Sequence, residues 1–493
     1  MQRPFLLAAC GIAALAAYPA FAQDAHAGHS PAPAPILPAP TPARPAGQAV
    51  PPPPAPQADP HAGHTMPGTA TPQADPHAGH RAPAPTEAGH YMGPSRYFSG
   101  CTSTAIVAAD SNIDGTVCQP CEGSGTARIA ANDGAHSGLH RAIGDGWMLM
   151  LHGFASAQAT SGSGPRGGDL AYVTSMAMAT ASRETGWGRI QLRAMTSLEP
   201  LLPARGYPVL FASGETANGR PLVDRQHPHD LFMELAARVD VNVGAGRVFL
   251  YGGPVGEPAI GPAAFMHRPS ARLNPEPPIT HHWFDSTHIT YCVVTAGYAD
   301  RYWQIEASAF RGREPDEERW GIETPRLDSW AVRATWNPAP AWALQVSTAR
   351  LRSPEGGHDG ESEQRTTASI SFASGTGVSA MIAFAAKDRL PGPTLTAWLA
   401  EAQWNIGERH ALFGRIENVA NDELFPDAGD PLHERTFRVT KFEAGYAYRI
   451  PLGDFSLALG GAASAYAKPA ALDVAYGRAP VQGTLFARLS LGH

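Results

Sequence analysis

Charge is scarce in this sequence: Asp, Glu, Lys and Arg make up 16% of 493 residues, against roughly 25% in an ordinary soluble protein. Long apolar runs are missing too. Beyond the N-terminal leader no segment reaches the about 20 apolar residues that a membrane helix needs, which excludes a polytopic helical membrane protein. A basic excess is also lacking: 37 Lys and Arg face 44 Asp and Glu, a net charge of -7. Nucleic acid is therefore not expected as a partner. No P-loop, GxSxG elbow or HExxH helix occurs. What is abundant is Pro (47), Gly (51) and His (20), unevenly spread.

Residues 1–22 read as a secretory signal peptide. Arg3 supplies the positive start, Phe5 to Ala17 the apolar stretch, and Ala20-Phe21-Ala22 the small-x-small cleavage pattern. Leu7-Ala8-Ala9-Cys10 also spells a lipoprotein box, but it precedes most of the apolar stretch. Export leads to an oxidising compartment, so a disulfide among Cys101, Cys118 and Cys121 is the plainer reading. A metal or redox pair at Cys118-x-x-Cys121 is the alternative, and Cys292 stands apart.

Residues 23–97 are Pro, Ala, Gly and His with few large apolar side chains, a composition that cannot offset the entropy of ordering. A disordered tail is expected. It carries a repeat, Asp24-Ala25-His26-Ala27-Gly28-His29, which returns at Asp59 to His64 and at Asp75 to His80. Imidazole suits copper, zinc and nickel, and a flexible chain can wrap two such units around one ion. His26, His29, His61, His64, His77 and His80 are thus candidate metal ligands. Residues 98–145 form a Cys-containing connector.

From residue 146 to 493 the pattern becomes segments of about ten residues with alternating polarity, the signature of an antiparallel transmembrane β-barrel of about sixteen strands. In one segment Trp303, Ile305 and Ala307 alternate with Gln304, Glu306 and Ser308; in another Trp398, Ala400 and Ala402 alternate with Glu401, Gln403 and Asn405. Successive strand side chains point to opposite faces, so one parity meets lipid and the other the lumen. Short connections at 184–187, 243–246, 299–301, 337–340, 373–377, 407–409 and 450–454 alternate with long ones at 200–229, 255–284, 313–325, 353–363, 421–436 and 467–480. Such barrels keep short turns in the periplasm, which places the tail there. A soluble β-sandwich or propeller is the alternative fold.

Two clusters could carry chemistry. Met148, Met150 and His152 share the lumen parity of Ser156 and Gln158; Met176, Met178 and Met195 share that of their polar neighbours. Thioether sulfur suits Cu(I), while the plainer alternative is Met as interior filler. The second cluster is His227, His229, His267, His281, His282 and His288, with Asp224, Asp230, Glu234 and Asp285 nearby. It reads as a loop-pinning hydrogen-bond network or as a metal site with carboxylates fixing the imidazole tautomers. The mixed-charge stretch Arg311 to Arg319 reads as salt bridges at the mouth. Asp285-Ser286-Thr287-His288 suggests a hydrolase, but Ser286 and His288 have no predictable geometry for it.

On the stretches Trp147 to Phe154, Asp224 to Glu234, Phe265 to Arg268, 279–290 and Gly312 to Arg319, the chain resembles a widespread, poorly characterised family of bacterial outer-membrane β-barrel proteins. That resemblance covers about residues 140–493 and implies fold and outer-membrane location, without an activity. The plan of signal, His-rich tail and barrel is also similar to the copper resistance protein B family, although the tail holds only Met66 and Met92. It implies a non-enzymatic barrel that binds copper, or zinc, and exports or sequesters it from the periplasm beside copper-handling partner proteins. A general porin-like or structural barrel is the alternative, and an outer-membrane hydrolase the remote one.

Overall fold

The computed structural model describes residues 121–132, 138–356 and 360–492. The signal, the tail with its repeats, Cys101 and Cys118 lie outside the described residues, and so do the expectations placed on them.

Sixteen long antiparallel strands among the described residues close into a barrel. They are β1 (Trp147–Gly162), β2 (Asp169–Thr185), β3 (Gly188–Thr196), β4 (Phe232–Val243), β5 (Gly246–Gly256), β6 (Thr290–Ala299), β7 (Trp303–Phe310) and β8 (Ser329–Trp336). The circuit continues with β9 (Trp342–Arg352), β10 (Ser362–Ala373), β11 (Val378–Leu390), β12 (Thr394–Ile406), β13 (His410–Asn421), β14 (Phe437–Leu452), β15 (Phe455–Ala467) and β16 (Val481–Leu491). Each pairs with its neighbour in sequence, β3 and β4 included although loop 197–231 separates them. The last strand closes on the first, from Gln482 opposite Gly162 to Leu491 opposite Gly153. Beyond that point the short strand Leu139–Ala142 takes over the edge of β1.

The period-two pattern decides the faces. Outward residues such as Val346, Ile382 and Leu485 are exposed, while Arg333, Arg365 and Arg415 on the opposite parity are buried. Trp187, Trp303, Trp336, Trp342, Trp404 and Phe455 lie exposed at or near the short-turn ends of their strands. Trp303 and Trp336 stack there with ring centroids 5.6 Å apart. An apolar outer band flanked by aromatics is the outer-membrane barrel architecture. The expected short turns and long loops all fall where the pattern put them; the connections at 163–168 and 391–393 are short ones on the long-loop side.

A sixteen-strand barrel is wide enough to leave a water-filled channel. Here two segments of the chain enter the interior. Loop 257–289 folds inward from the long-loop end, and residues 121–132 lie against the wall near the short turns. Arg128 donates to the carbonyl of Asp300 (2.6 Å) and the Asn132 backbone N–H to that of Pro340 (2.9 Å). Part of what reads in the sequence as a featureless connector is therefore interior packing.

Candidate functional site

The barrel interior is the candidate site, and it has a charged wall. Inward parity places Arg333, Arg365, Lys387, Arg415 and Lys441 on β8, β10, β11, β13 and β14, each almost wholly buried. A buried charge is tolerable only when paired. The inward loop and the neighbouring strands supply the partners. Arg268 donates to Asp285 and to Glu401, both at 2.6 Å. Arg415 donates to Glu401 (3.1 Å) and to the carbonyl of Glu276 (2.9 Å). Lys441 sits 2.9 Å from Glu276 and 2.8 Å from Glu443. Thr280 donates through its backbone N–H and its hydroxyl to Glu417, each at 2.9 Å. Loop 257–289 is thus attached to the wall along its length.

At the short-turn end Glu122 does the same work. Its carboxylate meets Arg189 (2.6 Å), Arg238 (3.1 Å) and Arg193 (3.3 Å). Thr126 donates to Glu306 (2.5 Å) and accepts from Arg333 (3.0 Å).

The methionines converge as their parity requires. Met176, Met178 and Met195 are buried together with Met233, and Met150 and Met266 pack against them. Met148 does not join: it lies near the short turns, paired in the ladder with Ala142 and Ser182. Phe154, Val255, Ile289 and Tyr291 share the cluster, so it is an apolar filling as well as a gathering of sulfur. His267 places Nε2 3.3 Å from the sulfur of Met195, and its ring lies 6.4 Å from that of His152. The Nδ1 of His152 is buried without a hydrogen-bond partner.

His267 therefore belongs to the methionines and not to the other five histidines, which corrects the expected six-residue cluster. Its separation has a local cause: the single turn Phe265–His267 carries the ring to the β3 side of the barrel. The remaining five form a chain of rings. His229 and His288 lie 5.3 Å apart, His288 and His281 5.2 Å, and His281 and His282 5.3 Å. His227 lies 6.0 Å from His229. Three of the rings are oriented by oxygen. Nδ1 of His229 donates to Glu199 (2.8 Å), that of His281 to Asp285 (2.7 Å), and that of His288 to the carbonyl of Asp285 (2.7 Å). The Nε2 atoms of His229 and His288 are buried without hydrogen-bond partners.

The electrostatics follow the packing. Burial pushes the His227 and His288 imidazoles well below the usual range, helped at His227 by Arg319 and at His288 by His281. Burial also opposes charge on His229 and His282, but Glu199 outweighs it at the first, and Glu314, Glu215 and Glu355 carry His282 to about 9. Burial works to raise the Asp285 carboxyl, yet Arg268 and His281 hold it below the ordinary carboxylate range.

The expected salt bridges of 311–319 are present in part: Arg319 lies 3.3 Å from Asp230, and Arg311 pairs with Glu323. Ser286 and His288 belong to a single turn and not to an extended strand. Ser286 accepts from Arg365 (3.0 Å), while His288 is bonded to the Asp285 carbonyl, so the geometry does not pair them as nucleophile and base. Sequence spacing missed Glu199, Glu215 and Glu355, and gave Glu314 only as part of the mixed-charge stretch 311–319; the four come from three loops.

No protein-family model and no curated protein matches the chain. The structure is similar to many solved chains, three barrels among them. One is OmpF of Salmonella typhi in complex with daunomycin, at 7% identity and a TM-score of 0.47, covering 72% of this chain and 100% of that one. The second is an anion-selective porin from Comamonas acidovorans, at 10% identity and a TM-score of 0.43, covering 70% and 100%. The third is the outer-membrane channel DcaP of Acinetobacter baumannii, at 11% and 0.42, covering 72% and 100%. The chain is a barrel of porin-like build. That rests on its own sixteen-strand closure, and no residue roles transfer at these identities. The likeness to the copper resistance protein B family remains one of sequence plan.

Proposed function

We propose that the chain is a porin-type barrel of the outer membrane whose passage is shut in the state described, so that transport through it requires loop 257–289 to leave the wall. The observation that carries this reading is the seating of that loop on buried charge, above all Arg268 between Asp285 and Glu401. Removing one partner of such a pair strands the other and costs about 3–5 kcal/mol, so the loop is held firmly. The test is current through the full-length chain in planar bilayers. The reading expects a quiet protein with rare openings, and a steady large conductance would refute it.

A second reading has its own support. Met150, Met176, Met178 and Met195 beside His152 and His267 make a soft, buried donor set, of the kind that suits Cu(I). On this reading the barrel binds copper, or another late transition metal, and takes part in its sequestration or export from the periplasm. Copper titration of the purified chain tests it: binding weaker than about 10 μM, about -7 kcal/mol of affinity, would end it.

A further inference from the structure

One group of donors is used by neither reading. Glu215 comes from loop 197–231, His282 from the short helix His281–Phe284 in loop 257–289, and Glu314 from loop 311–328. One donor atom of each lies within 4.8 Å of the others. Three long loops meet at this point.

The distances within the group are informative. His282 Nδ1 and Glu314 Oε1 stand 3.4 Å apart. Both atoms are buried and neither has a hydrogen-bond partner. His282 is 5% exposed and Glu314 6%. An imidazolium and a carboxylate in direct contact close to about 2.7–2.9 Å. Two donors that each lie about 2.0–2.1 Å from one tetrahedral ion stand about 3.4 Å apart. The observed gap matches the second arrangement for this pair, while Glu215 Oε1 stands 3.6 Å from the other ring nitrogen of His282, Nε2.

The neighbours orient the donors. His227 Nδ1 lies 2.9 Å from Glu215 Oε1 and holds that carboxylate in place. A partner that orients a ligand from behind is a regular feature of metal sites. Gly214 has a φ of +109°, and a Cβ there would stand 2.6 Å from Nδ1 of His282, so only glycine lets this backbone lie against the ring. Glu355 lies 3.8 Å from the same Nδ1 and adds negative charge beside it, although Lys387 pairs with it.

We propose that Glu215, His282 and Glu314 form a binding site for a divalent ion of the zinc class, which ties the three loops together at the mouth of the barrel. One imidazole and two carboxylates form a set that zinc accepts, and it lacks the sulfur that Cu(I) prefers. The site is distinct from the methionine cluster, and neither pore current nor copper affinity reads it out.

The experiment uses the full-length chain with His26, His29, His61, His64, His77 and His80 all changed to Ala, so that imidazoles of the repeats add no zinc. Zinc alone is titrated by calorimetry, and the unfolding temperature is measured with and without it. One zinc per chain is expected, with a rise in unfolding temperature. Glu314→Gln and, separately, His282→Gln should each weaken zinc binding at least about tenfold and abolish the rise. Heat-modifiable gel migration shows that each variant is folded, and Glu215→Gln stands in if either fails. A parent chain that takes up no zinc overturns the proposal. So does a folded Glu314→Gln chain that binds zinc as tightly as the parent. Bilayer current, measured alongside, tests the closed-barrel reading on its own.

Discussion

Arg268→Met should unlatch the inward loop. Arg268 is 3% exposed and bridges the loop's own Asp285 to Glu401 on the wall strand β12. Methionine keeps most of the volume and loses both charge-assisted contacts. Asp285 then retains His281 and the Phe265 backbone N–H, and Glu401 retains Arg415 and Ser270. One net charge is nonetheless left without compensation in a dry interior, at a cost of about 3–5 kcal/mol. Most of that cost falls on the seated state, because an unseated loop hydrates its carboxylate. At about 1.4 kcal/mol per factor of ten, the open-to-closed ratio should rise roughly 10²- to 10³-fold. Single-channel recording would show this as a large increase in open time at unchanged unitary current. Arg268→Lys should fall between, since an ammonium keeps the charge but cannot fork across both carboxylates. If a correctly folded Arg268→Met barrel is as quiet as the parent, the loop is not held by this latch and the reasoning fails.

Other expectations are simpler. Lys441→Met removes the cation shared by Glu276 and Glu443 and should lower barrel stability by about 3–5 kcal/mol, read as earlier loss of the compact band on heated gels. Glu122→Ala leaves Arg189, Arg193 and Arg238 without their shared carboxylate; because Glu122 is partly exposed the loss should be smaller, about 1–3 kcal/mol, with faster proteolysis around residue 122. Asp224 is raised to about 6 by burial, against the opposing pull of the Phe211 N–H and Arg166. The folded state therefore binds more protons than the unfolded state between roughly pH 4 and 6. Stability should fall as pH rises through that window, and Asp224→Asn, which can still accept from Phe211, should flatten the fall in a pH series of thermal melts.

The sequence made the cylinder legible and left its contents obscure. Lipid outside and polar groups inside impose a period of two on every strand, so Trp303, Ile305 and Ala307 could be assigned outward and Glu306 inward from the pattern alone. The same parity placed Met176, Met178 and Met195 in the interior. Loop 257–289 has no such period. Its structure is set by partners far along the chain, as with Glu276 and Lys441, 165 positions apart. Nothing in the spacing of Cys121 to Asn132 announced that this stretch fills the short-turn end. His267 was grouped with the other histidines by proximity in sequence, whereas a single helical turn carries it to Met195. Glu215 was invisible, and Glu314 was read only as part of a charged stretch, for the same reason as the filling: they meet His282 only because three loops pack together.

Loop 257–289 is seated in the lumen on the barrel wall. Backbone N–H groups along it donate to wall side chains: Ala259 to Ser308 (2.7 Å), Gly261 to Ser347 (2.9 Å), Leu273 to Gln403 (3.0 Å) and Thr280 to Glu417 (2.9 Å). Amide hydrogen exchange of the reconstituted full-length chain measures this directly. Peptides from 257–289 should exchange as slowly as those from β12 and β13, while peptides from the exposed stretch 426–429 exchange far faster. Exchange of 257–289 at the rate of that exposed stretch would contradict the account.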